Sequence, residues 1–287
     1  MTDPLISRDR LLAINEQLHP LAQSLANATA LLCQSTGRGR APRSVGSAVL
    51  LRIGGSPYLF TASHVFDNAE PGKAVYAALG GQFVSLARER WRTRPGTSGL
   101  DRVDLAIVPL NLDAGKTTGD ARFLELHEID PFLNSLDPLP RTGYMAIGYP
   151  HTKQPRYLRD GQYQAFAHHF LTHYEPIIPG NKIGADPQLH ITVGFDAEDF
   201  TGADGGGPLP KPVGMSGGGL WRIPDALSAQ SPQGQLVGVI IEHYGPPHHV
   251  IVATRLANPL HALAERNQAA RRAIVDRFPI ALNGQGA

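Results

Sequence analysis

Sulfur is nearly absent from this chain, and so is any long apolar run. Only Cys33 among the 287 residues is a cysteine, so no intramolecular disulfide can form and the small disulfide-stapled secreted scaffolds are excluded. A lone thiol suits a reducing compartment. No stretch approaches the roughly 18 consecutive apolar residues of a membrane helix. Met1 to Arg10 carries acids and arginines where a secretory leader would have a basic end and then an apolar run. Together these features predict a cytoplasmic protein with no membrane partner. An excess of one charge is missing too: 26 lysines and arginines face 25 acids, for a net charge of +1. With no dense basic block, nucleic acid has little to hold. His168, His169 and His173 cluster, as do His248 and His249, but no matched cysteines or carboxylates complete a metal set. Surface histidines are the expectation, with no metal and no cofactor. The glycines at 37 and 39 lack the strand, helix and Lys-Ser/Thr context of a phosphate cradle.

Short apolar runs divided by glycines are what the chain does have. Leu11, Ile14, Leu18, Leu21, Leu25, Ala28 and Leu32 follow one another at steps of three and four, which aligns one face of a helix. Pro20 predicts a break or kink within that region, because it lacks an N–H and clashes with the preceding turn. The stripe is expected to pack on the body of the protein; its alternative use is to bind a regulatory partner. From Ser47 onward the pattern becomes strand-like. Ser47 to Ile53 and Pro57 to Ala62 flank Gly54-Gly55, and Ala74 to Leu79 and Gln82 to Leu86 flank Gly80-Gly81, as in two hairpins. Leu105 to Leu110 is a further strand. A second series follows at Tyr144 to Gly148, Gln164 to His173, Leu189 to Phe195, Gly219 to Ile223, Leu236 to Glu242 and Val250 to Leu256. Two such groups predict an all-β protein of two six-stranded antiparallel barrels with added N-terminal and C-terminal helices. The corresponding boundaries are 1–36 for the N-terminal helical region and 44–126 for the first barrel. A linker at 127–141, a second barrel at 142–257 and a C-terminal helix and tail at 258–287 complete the division.

Three segments carry chemistry, in the order His, Asp, Ser: Thr61-Ala62-Ser63-His64-Val65 after a strand, Asp104-Leu105-Ala106-Ile107-Val108 opening a strand, and Gly214-Met215-Ser216-Gly217-Gly218. A serine hydroxyl is a poor nucleophile until a base takes its proton. His64 can be that base, since imidazole titrates near neutral pH, and Asp104 can fix its tautomer. The glycines allow a tight turn in which the N–H groups of Gly214 and Ser216 form an oxyanion hole, where one donor is worth about 3 kcal/mol in a transition state. Asp101 is the nearest rival acid, but no apolar run follows it.

In residue type, order and approximate spacing these segments resemble the T-A-x-H, D-x-A and G-x-S-G-G motifs of the trypsin-like (chymotrypsin-fold) serine peptidases, over roughly Gly46 to Leu256. The resemblance is to the bacterial, intracellular type without disulfides. It implies a serine endopeptidase that cleaves protein or peptide substrates through an acyl-enzyme, with His64, Asp104 and Ser216 as the triad. It also implies that Ile241, Glu242 and His243 line the substrate cleft, where Glu242 would favour a basic side chain. Two departures stand out. Met215 occupies the position at which secreted zymogens carry an Asp for a freed N-terminal amine, and Gly219 replaces the usual proline. The acidic, glycine-rich stretch from Asp196 to Pro212 is expected to govern substrate access. Two rivals remain in view: a trypsin-fold binding module that no longer cuts, and an α/β-hydrolase esterase, since the serine segment also satisfies G-x-S-x-G.

Overall fold

In the computed structural model the described residues are 8–36, 41–86, 90–93, 102–112, 119–133, 142–154, 165–177, 183–195, 210–224 and 232–278. Residues 196–209 of the loop expected over 196–212 and the rival acid Asp101 lie outside them.

Helix α1 (Arg8–Ala26) buries Ile14, Leu18 and Leu25 and half-buries Leu21, so the apolar stripe packs in cis. It runs through Pro20 as one element, contrary to the expected break. Apolar contacts before and after the proline, from Ile14 and Leu18 and from Ala22 and Leu25, hold both halves on the same core. Such burial outweighs one lost backbone hydrogen bond.

The helix does not extend to residue 36. Thr29–Gln34 is a strand, β1, inserted between β2 (Arg43–Ile53) and β4 (Val75–Leu79). All six of its residues are buried. A strand covered on both faces loses the apolar–polar alternation that marks strands, and Ala28 and Leu32 happen to continue the helical spacing. The remaining strands of the first sheet are β3 (Ser56–Ala62), β5 (Gln82–Ser85), β6 (Trp91–Arg92) and β7 (Leu105–Pro109), in the order β5-β4-β1-β2-β3-β7-β6. The first sheet therefore has seven strands, not six. The second has the expected six: β8 (Gly143–Gly148), β9 (His168–Thr172), β10 (His190–Gly194), β11 (Gly219–Ile223), β12 (Gln235–Tyr244) and β13 (Val250–Arg255), ordered β10-β13-β12-β11-β8-β9. Every pair of these strands is antiparallel. This excludes the parallel sheet on which an esterase elbow would sit.

Each sheet surrounds its own apolar cluster. Leu32, Leu50, Leu59, Val65 and Val108 fill the first, and Ala146, Phe170, Val193, Met215, Leu220 and Ile251 the second. The alternate residues Val49, Phe60, Ile107, Ile147 and Trp221 point the other way, into a shared core with α1 and the C-terminal helices α2 (Ala257–Arg266) and α3 (Gln268–Arg277). The crossover passes Leu124, bridged to Leu51, and Ile129, bridged to Leu236. The result is a mostly β arrangement of two antiparallel sheets with helices at its ends. No described helix is long and apolar enough to cross a membrane.

Because Leu18 is only 1% exposed in the shared core, Leu18→Ala should cost about 2–5 kcal/mol. A denaturant or thermal unfolding curve checks this. Unchanged stability would mean that the stripe serves a partner and not this core.

Candidate active site

His64 follows β3 in a single 3₁₀ turn, Ser63–Phe66. Ala62, Val65 and Phe66 turn inward, which leaves His64 on the open side with 37% of its side chain exposed. Arg92, from the two-residue strand β6, straps this turn. Its Nε donates to Ser63 Oγ at 2.9 Å, and its Nη2 donates to the Ser63 carbonyl at 2.9 Å and to Asp67 Oδ2 at 2.5 Å.

Asp104 precedes β7 with φ +44°. The left-handed region costs an L-residue about 1–2 kcal/mol, and Asp is among the few that tolerate it. The conformation lets one carboxylate grip His64 twice: Oδ1 accepts the His64 backbone N–H at 2.9 Å, and Oδ2 lies 2.5 Å from Nδ1. Asp104 also accepts the Ser63 N–H on its own carbonyl at 3.0 Å. With its proton held on Nδ1 by Asp104, the imidazole presents a lone pair on Nε2. Burial pushes the His64 pKa down, while the hydrogen bond and charge of Asp104, and then the charges of Glu242 and Asp67, push it up. The net result lies above the ordinary histidine value.

Ser216 sits on a turn whose interior is apolar. Met215, fully buried, enters the second sheet's cluster; its N–H donates to the Pro212 carbonyl at 2.9 Å and its carbonyl accepts from Gly218 at 2.8 Å. Burial thus anchors the turn where zymogens use an ion pair. Gly214 (φ +98°) and Gly217 (φ +90°) both need glycine. A Cβ at 214 would stand 2.6 Å from His151 Nδ1, and one at 217 would overlap the Ser47 carbonyl oxygen. Gly219 is explained likewise: a Cβ there would lie 2.6 Å from Trp221 Nε1. Among the described residues the N–H groups of Gly214 and Ser216 have no acceptor.

His64, Asp104, Gly214, Ser216 and Glu242 line one cleft of about 410 Å³, with Ile241 and His243 on the same wall. The sequence-derived residues thus meet in one place. One expected contact is not made: Ser216 Oγ donates to the Ile241 carbonyl at 3.4 Å, and among the described residues no hydrogen bond joins it to His64. Such bonds are often loose in unliganded sites. Glu242 is exposed and accepts a 2.7 Å hydrogen bond from the Tyr244 hydroxyl. His243 is lowered by burial, with Glu242 and Lys211 acting in opposite directions. A second cavity of about 590 Å³ continues the groove, sharing Val45, Asn68 and His151 and adding Arg43, Ser44 and Gln154.

Sequence reasoning missed the residue that joins the turn to the first sheet. Ser47 of β2 donates its N–H to the Ser216 carbonyl at 2.8 Å and its hydroxyl to the Gly214 carbonyl at 2.9 Å. The same hydroxyl accepts the Tyr149 N–H at 2.9 Å, and the Ser47 carbonyl accepts from Thr61 Oγ1 at 2.7 Å. A polar residue inside the apolar run Val45 to Leu51 was the available signal.

No family model matches the chain, and no curated protein matches it. Among solved structures, the apo crystal structure of the MamO protease domain from Magnetospirillum magneticum is similar over 83% of this chain and 96% of that one, at 16% identity and a TM-score of 0.44. At that distance the likeness carries nothing about chemistry, which rests on the residues themselves.

The charges around His64 set a titration that NMR can follow at its Cε1–H. Its midpoint should lie above the ordinary value of about 6.5, and Glu242→Gln, which removes one raising charge, should move it down. Since the folded-state pKa is the higher one, the His64 interaction contributes stability below the unfolded value and loses it as pH rises through the folded value. An unshifted midpoint in Glu242→Gln would show that this carboxylate does not act on the imidazole.

Proposed function

We propose that the protein is a serine endopeptidase acting on protein or peptide substrates in the cytoplasm, with Ser216 as nucleophile, His64 as general base and acid, and Asp104 as the group that orients His64. The observation that carries the reading is the double grip of one carboxylate on the His64 backbone and ring, in the cleft that also holds Ser216 and two amides with no acceptor among the described residues.

In the acylation step Ser216 Oγ attacks the scissile carbonyl carbon as its proton passes to His64 Nε2. Asp104, facing Nδ1–H, stabilises the resulting imidazolium. Charge that develops on the carbonyl oxygen is received by the Gly214 and Ser216 N–H groups, whose positions are prepaid by the glycine turn and the Ser47 bonds. Collapse of the tetrahedral species transfers the proton from Nε2 to the departing amine. Water then attacks the ester with His64 again as base, and the acid product leaves Ser216 free. The cavities of about 410 and 590 Å³ share Val45, Asn68 and His151, and this continuity supports a chain substrate over a small ester. Glu242, exposed on the cleft wall, gives a basic side chain a partner. A buried, unpaired Cys33 accords with a reducing compartment.

The second reading, a trypsin-fold binding module that does not cut, is favoured by the Ser216 hydroxyl facing Ile241 instead of His64. Kinetics on a peptide library separate the two. Ser216→Ala, His64→Ala and the double variant should lose turnover to a similar extent, about six orders of magnitude, because such groups act as a unit. Asp104→Asn should lose about four orders. Additive losses in the double variant would place the two residues in separate processes, and no cleavage by the parent protein would support the binding module.

A further inference from the structure

The strained backbone at Asp104 is held from the opposite sheet. His190 of β10 and Thr254 of β13 are register partners across a ladder of the second sheet, and both are buried. His190 Nδ1 accepts the Asp186 N–H at 2.9 Å, which places the ring proton on Nε2. That Nε2 lies 2.6 Å from the Arg102 carbonyl oxygen, and Thr254 Oγ1 donates to the next carbonyl, that of Val103, at 2.5 Å.

These two carbonyls immediately precede Asp104. The Val103 carbonyl belongs to the peptide plane whose orientation sets the Asp104 φ angle. The following plane is fixed from the first sheet, by Ser63 N–H on the Asp104 carbonyl at 3.0 Å and by Leu105 N–H on Thr93 Oγ1 at 2.8 Å. Both planes around Asp104 are therefore pinned, one from each sheet. Asp186 adds to the same junction: it faces Arg102 at 4.0 Å, and the charges around His190 are those of Asp186, Arg102 and Arg255.

We propose that His190 and Thr254 are positioning residues, a cross-strand latch by which the second sheet holds Asp104 in its left-handed conformation and so keeps the carboxylate on His64. The latch touches no reacting atom. Its effect on turnover rests on the peptidase reading above, whereas its effect on His64 does not.

The test therefore begins with His64 itself, through the low-field Nδ1–H proton resonance and the Cε1–H titration of the full-length protein. His190→Gln and Thr254→Ser keep a donor and should retain both the resonance and the raised titration midpoint. His190→Phe and Thr254→Val lose the donor; the resonance should move upfield or vanish, and the midpoint should fall. Where the peptidase reading holds, kcat should drop by up to about 10²-fold with KM within about twofold, the pattern of a misplaced group and not of lost binding. Thr254→Val changes shape little, so it carries the test if the phenylalanine variant fails to fold. Parent-like His64 signals in a folded Thr254→Val protein would overturn the latch. An inactive parent whose His64 signals respond as described would sink the peptidase reading alone.

Discussion

The hydrogen bonds of Ser47 across the seam are the constraint on which the site's geometry depends. His64 stands beside the first sheet and the Ser216 turn beside the second, so their relation is fixed only by what crosses between them. Ser47 takes the carbonyls of both Gly214 and Ser216. A buried hydrogen bond contributes about 1 kcal/mol net, yet a buried partner left unsatisfied costs about 1–3 kcal/mol. The turn is thereby locked into one register. Both carbonyls are occupied toward the first sheet, while among the described residues the amides of Gly214 and Ser216 have no acceptor. The crossing is reciprocal, because His190 and Thr254 reach from the second sheet to the backbone ahead of Asp104.

Apolar burial and charge divide the remaining work. Met215 anchors the serine turn inside a hydrophobic cluster, so its placement does not depend on the ionisation of an internal ion pair. At His64, by contrast, burial and carboxylates compete, and Asp104, Glu242 and Asp67 prevail over desolvation. The serine turn is thus held by apolar burial, whereas His64 is held in a balance of burial and charge.

What the sequence made legible was local in origin. Glycine pairs at 54–55 and 80–81 mark hairpins because left-handed backbone favours glycine, and their φ values are positive. His64, Asp104 and Ser216 were readable because each sits where a strand ends, begins or turns tightly, which constrains the neighbours as well. β1 was misread because two-sided burial removes alternation, and Pro20 because tertiary contacts override a local breaker. The dipeptide strand β6 is too short to have a period. Ser47, His190 and Thr254 act across the seam through contacts 88 to 169 residues away in the chain, and one polar side chain within an apolar strand does not announce its partner. Those separations follow from the positions joined, as in Ser47 with Ser216 and Thr254 with Val103. Most of the acidic stretch expected to control access, residues 196–209, lies outside the described residues.

The most direct test of the central claim is covalent. A fluorophosphonate phosphonylates a serine, with loss of fluoride, only where a base and an oxyanion site are assembled around it. The protein produced from Met1 without internal cleavage should gain one adduct by intact mass, peptide mapping should place it on Ser216, and Asp104→Asn should slow its formation steeply. Absence of the adduct on folded protein, or labelling only after internal cleavage, would contradict the account.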